Sequence, residues 1–195
     1  MKKETIMLLG MAVISMLIFW GVKAYNGLVS KEEAISGQWA NVENQYQRRA
    51  DLIPNLVNTV KGYAAHESST LEAVVAARAK ATQMTISAND ITPEKLSEYQ
   101  ASQGELSNAL GRLLMITENY PDLKANQQFI ELQAQLEGTE NRISVERNRF
   151  NDVARIYNTS IRRFPTVIIA RLFGFDLKPY FEATESAKAV PVVEF

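Results

Sequence analysis

The chain has 195 residues, no cysteine, a single histidine and a formal net charge of −1. That length suits one domain with an appendage. Near-neutral, interspersed charge argues against a nucleic-acid binder, and the lack of cysteine excludes disulfides, thiolate zinc clusters and a thiol nucleophile.

The first element is "IMLLGMAVISMLIFWGV", residues 6–22, which carries no charge. At ~1.5 Å per residue it spans roughly 26 Å, near the lower limit for a hydrocarbon core. Trp20 and Tyr25 are spaced to sit at an interface. A cleaved signal peptide is the rival reading, with Val22-Lys23-Ala24 as the cut. The apolar run exceeds the ~7–15 residues of a signal core, and the helical pattern continues through the cut, which favours an uncleaved single-pass anchor. Lys2, Lys3 and the amino terminus outweigh Lys23 and Lys31, so the N-terminus is expected in the cytoplasm and the remainder on the exported side of the membrane. The expected organisation is an anchor over residues 1–24, a helical bundle over 25–183 and a tail over 184–195.

Residues 25–82 read as one long helix. Ile35, Trp39, Val42, Tyr46, Arg49, Ile53, Leu56, Val60, Tyr63, Glu67, Thr70 and Val74 step by three and four along one face. Arg49 and Glu67 put charges on that face. Pro54 removes a helical hydrogen bond and is expected to bend the helix. A break at "TISANDITPEKL" follows, with Thr92 as N-cap and Pro93 at the first helical position. The second helix runs to about residue 119, where "ENYPDL" ends it. A third covers residues 122–163, with Phe129, Leu132, Leu136, Thr139, Ile143, Glu146, Phe150, Val153, Tyr157, Ser160 and Phe164 on its seam. A short fourth segment, "PTVIIARLFGF", is too apolar to be exposed; it is expected against the bundle end or lipid, with Gly174 as its left-handed C-cap.

The fold class is therefore all-α: an N-terminal transmembrane helix, an antiparallel bundle of three long helices and a short fourth helix. In an up-down-up order the second helix covers only the distal half of the first. Trp39 and Tyr46 would then lie on an uncovered apolar strip, which favours a homo-oligomer; the alternative is that the third helix or the C-terminal segment folds back over it. Buried charges need partners. The same order places Arg78 level with Glu146, an expected pair, and leaves Arg49 to find Glu43 or Asp51 of a neighbouring copy.

The stretches "VENQYQRRADLIPNLVNTVKGYAAHE", "LEAVVAARAKA", "ENYPDLKANQQFIELQAQLEGTENRISVERNRFNDVARIYN" and "FPTVIIARLFGFDLKPYFEA" resemble the LemA family of bacterial membrane proteins. The likeness covers nearly the whole chain, in the family's order. It implies a membrane helix and long bundled helices. It implies no settled activity and gives no catalytic residues to carry over.

Motifs for chemistry fail individually. His66-Glu67 opens like a zincin motif, but Thr70 stands where a second His is needed. No nucleophile elbow accompanies His66, which is read as structural, with phosphorylation as the alternative. The glutamates of the third helix lack the Glu-x-x-His pairs of di-metal bundles. The expectation is a non-enzyme without cofactor: a membrane-anchored scaffold, or an adaptor for other membrane proteins such as a protease or signalling enzyme, with an unrecognised active site as the remaining option.

Overall fold

The structure is a computed structural model that describes residues 2–182, and those residues form helices without a strand. The tail at 184–195 lies outside the described residues. Helix α1 (Lys2–Lys61) is one unbroken helix of 60 residues, about 90 Å long at 1.5 Å per residue. Its first part bears the apolar run, where the large side chains from Ile6 to Phe19 are 49–75% exposed. It is the one described helix long and apolar enough to cross a membrane. A bare apolar surface of that length needs cover, and it points to membrane association.

The long first helix of the sequence reading ends early. The chain leaves α1 after Lys61, turns through residues 62–67 and begins α2 (Ser68–Gln83). The Tyr63 and Ala64 amides both return to the Val60 carbonyl, at 3.0 and 2.8 Å, which tightens and closes the last turn. Ala64 plugs the corner and is buried. The apolar spacing stays in phase across the turn, so periodicity could not reveal it. The run Ser68-Ser69-Thr70 carried the signal, because hydroxyl side chains favour helix starts over interiors.

That turn reverses everything after it. Helix α2 descends along α1: Arg78 reaches Ala50, and further down Trp39 reaches Ile86. A single 3₁₀ turn at Ala88–Asp90 leads to α3 (Pro93–Thr117), capped by the Thr92 side chain as expected. Helix α3 climbs beside α2, with Lys80 on Glu105 and, higher, Tyr120 on Glu67. The one-turn helix α4 (Pro121–Lys124) carries the chain over the top. Helix α5 (Gln127–Arg162) then descends along α1, from Asn126 on Tyr63 past Arg49–Glu140 to Gln38–Glu146. The first and last long helices are therefore antiparallel, not parallel. The interior holds a lower apolar cluster around Trp39, Tyr99, Phe150 and Tyr157, and an upper one around Ile53, Leu56, Leu113 and Phe129.

Two residues singled out in the sequence meet here. Pro54 is exposed and α1 runs through it. Proline has no N–H to give the carbonyl four residues back, which is Ala50. Arg78 supplies the missing donor: its Nε lies 2.7 Å from the Ala50 oxygen. Replacing Arg78 by Met should cost about 1–3 kcal/mol, because a carbonyl is left unpartnered beside a proline. In a Pro54→Ala background the helix supplies its own donor, so the same replacement should cost much less. A double-mutant cycle by denaturation in detergent measures the coupling.

Candidate functional site

The lower half of α1 is sealed within the chain. Trp39 is 1% exposed and Tyr46 is 6% exposed. The Trp39 ring stacks on Phe181 at 5.9 Å and meets Tyr99 at 5.4 Å and Phe150 at 5.7 Å. Its indole N–H donates to the Ile86 carbonyl at 3.0 Å. The expected bare strip is thus absent. Helix α5 and the segment after α6 fold back over it, because α5 descends along the full bundle portion of α1. The case for a homo-oligomer built on that strip falls with it.

Asparagines hold the cover in place. Asn151 donates to the Phe181 carbonyl at 2.9 Å and accepts from the Phe181 amide at 2.8 Å. Seven residues on, Asn158 does the same for Lys178, at 2.8 and 3.0 Å. Each amide side chain imitates a strand neighbour for an extended backbone. Arg147 adds a bond to the Glu182 carbonyl at 2.7 Å and lies 4.9 Å over the Phe181 ring. The alternative reading of the sequence, that the third helix or the C-terminal segment folds back over the strip, is the one the structure follows; the asparagines that hold the segment, two helical turns apart beside an apolar seam, were not singled out.

Between the two apolar clusters sits Arg49, 2% exposed and the one charged residue fully buried among the described residues. Its partners are all within the chain. Nη1 donates to Glu140 and to Ser107 Oγ, each at 2.8 Å. Nη2 donates to Gln103 Oε1 at 2.7 Å and to the Gln103 carbonyl at 3.3 Å. Gln103 in turn gives its amide N–H to the Ala81 carbonyl in the last turn of α2, at 3.2 Å. The guanidinium lies 5.2 Å over the Tyr46 ring. One side chain on α1 thereby ties α3 and α5 together and, through Gln103, reaches α2. Neither Glu43 nor Asp51 of a second copy is needed. Burial pushes the Glu43 carboxyl above its ordinary value. Burial likewise raises the Tyr46 and Tyr99 phenols, so both stay neutral.

The expected Arg78–Glu146 pair does not form, because α5 runs the other way. Glu146 instead accepts from Gln38 and from Arg149, both at 2.7 Å. Glu67 stands at the N-terminus of α2, where a carboxylate suits the helix dipole, and accepts from the Tyr120 hydroxyl at 3.2 Å. His66 is exposed in the turn before it. Among the described residues no group of three His, Asp or Glu gathers into a metal site.

On the side where α3 and α5 face each other the bundle is open. A groove of about 410 Å³ there is lined by Leu110, Leu114 and Leu136, with Arg49, Ser107 and Glu140 at its polar end. At that polar end Ser107 and Glu140 are both engaged by Arg49, whose Nε is buried without a hydrogen-bond partner, and the rest of the groove presents an apolar wall.

Comparison with known proteins places these features in a lineage. A family model described as the LemA family matches residues 38–195. The chain is 29% identical to the magnetosome protein MamQ of Magnetospirillum gryphiswaldense, over 90% of this chain and 71% of that protein. It is 27% identical to magnetosome protein MamQ 2 of Paramagnetospirillum magneticum, with the same coverage. It is 23% identical to protein LemA of Metamycoplasma hominis, over 88% of this chain and 75% of that one. None of these names carries a catalytic activity. With the matched region extending over most of the chain, this protein belongs to the LemA family.

Proposed function

We propose that the chain is a membrane-anchored, non-catalytic scaffold, held with its bundle on the exported side and acting by gathering other membrane proteins. Continuity carries this reading: the apolar run and the first bundle helix are a single α-helix. An anchor joined by a flexible linker would let the bundle tumble, whereas a continuous helix fixes its height and tilt on the bilayer. The groove between α3 and α5 favours a second reading, an adaptor that receives an apolar segment of a different protein.

A photoreactive residue in place of Leu114, in the groove, tests both in the native membrane. The scaffold and adaptor readings expect discrete adducts from this position and none from Ala73 on the exposed face of α2. Adducts to several membrane proteins mark the scaffold, and a single heterologous partner marks the adaptor. No adduct from any exposed bundle position removes both.

A further inference from the structure

Helix α6 (Thr166–Phe173) lies beside α1 at the last turns of the apolar run. Ile169 approaches Gly21, and the Phe173 and Phe175 rings meet Tyr25 at 4.8 and 5.6 Å. Leu17, Ile18 and Gly21 share an apolar notch of about 510 Å³ with Ile169 and Leu172. Gly174, at φ 74°, stops the helix, and the Phe175 amide returns to the Ala170 carbonyl at 2.9 Å. Only Ala170 of this helix is buried. Phe164 is 81% exposed, Leu172 is 73% exposed, and Ile168, Phe173 and Leu177 are also uncovered. From residue 162 to 175 the chain carries Arg162, Arg163 and Arg171 and no carboxylate. None of the three arginines forms an ion pair among the described residues.

We propose that α6 is a second membrane contact, an interfacial helix that sinks its bare apolar face into the leaflet where α1 leaves the bilayer and holds anionic lipid headgroups with Arg162, Arg163 and Arg171. The inference rests on α1 being the anchor. The bilayer is the occupant that fits, for two reasons. The uncovered face is continuous with the lipid-facing surface of α1 and lies at the depth of its final apolar turns. The arginines around it match the negative surface of an anionic leaflet, and their long stems allow the charge to reach headgroups while the carbons stay in the apolar layer. Two contacts a short distance apart then fix the rotation of the bundle about the membrane normal, which a single helix cannot do.

The chain has no cysteine, so single-cysteine labelling of the full-length protein in vesicles reads the contact directly. Leu172 is 73% exposed, so Leu172→Cys removes little packing beyond its share of the notch with α1. In vesicles of phosphatidylcholine mixed with phosphatidylglycerol, a fluorophore at Leu172→Cys should be quenched by lipid-borne nitroxides. Its quenching by aqueous iodide should be about fivefold weaker than that of a probe at Ala73→Cys. Replacing the three arginines by Gln should raise iodide access, and more so in anionic vesicles than in phosphatidylcholine alone. A probe at Leu9→Cys reports the anchor separately. Lipid quenching at Leu9 with free iodide access at Leu172 overturns this inference and leaves the anchor standing. Iodide access at Leu9 overturns both. A Leu172 probe shielded from both quenchers means that a protein covers the face, which also overturns it.

Discussion

Replacing Trp39 by alanine is expected to lower stability by about 3–5 kcal/mol, the range for deleting a large aromatic from a packed core. The loss has two parts that can be separated. The ring fills the space between α3, α5 and the strap, touching Tyr99, Phe150 and Phe181. The indole N–H also satisfies the Ile86 carbonyl in the connection from α2 to α3. Trp39→Phe keeps most of the ring contact and abandons the carbonyl, so it should cost about 1–3 kcal/mol. Thermal unfolding in detergent ranks the two. Because Phe181 stacks on the ring, Trp39→Ala should also loosen residues 175–182, and limited proteolysis should cut there first. Equal stability of Trp39→Ala and the parent would show that the strap and lower core do not depend on this side chain. A cysteine at position 39 should form no cross-link between copies, in keeping with its burial.

Most of the helical segments, the caps at Thr92 and Gly174 and much of the apolar faces were legible in the sequence because they are local, although the third helix expected from residue 122 divides into α4 and an α5 capped by Asn126. Thr92-Pro93 starts α3, and Gly174 ends α6 with the left-handed backbone that its position requires. The direction of the helices was not legible. A six-residue turn that keeps the apolar residues in phase is invisible to a count by threes and fours, and missing it inverted the sense of α2, α3 and α5. Every error about partners descends from that one turn. The up-down-up order sets Arg78 against Glu146 and sends Arg49 to another copy, whereas both find hydrogen-bond partners inside the chain. That Arg49 and Pro54 were unusual was readable from the residue types. What completes them was not, because the Ala50 carbonyl and Gln103 become partners only when distant segments are brought side by side.

Arg49→Ala should cost about 3–5 kcal/mol, since it removes a buried charge with its hydrogen bonds and leaves the Gln103 side-chain oxygen unpartnered. Arg49→Met keeps the stem that packs beside Tyr46 and should cost less, about 1–3 kcal/mol, chiefly for the orphaned Gln103 oxygen. Glu140 is 56% exposed at the groove, and water can take its place. Glu140→Ala should therefore cost only about 1–2 kcal/mol, and added salt should shrink the difference from the parent. The order Arg49→Ala, Arg49→Met, Glu140→Ala, read from chemical denaturation, distinguishes a bonded network from a surface ion pair; a Glu140 variant as damaging as Arg49→Ala would overturn this account. The position explains why a charge is kept there at all. Leu28, Ile35, Val42, Arg49 and Leu56 recur every seven residues on α1, as do Phe129, Leu136, Ile143, Phe150 and Tyr157 on α5. Two such seams could slide by seven residues and still bury apolar groups. The slide would set Arg49 against Arg147 in one direction and Gln133 in the other, so the buried charge favours the one alignment that offers it Glu140.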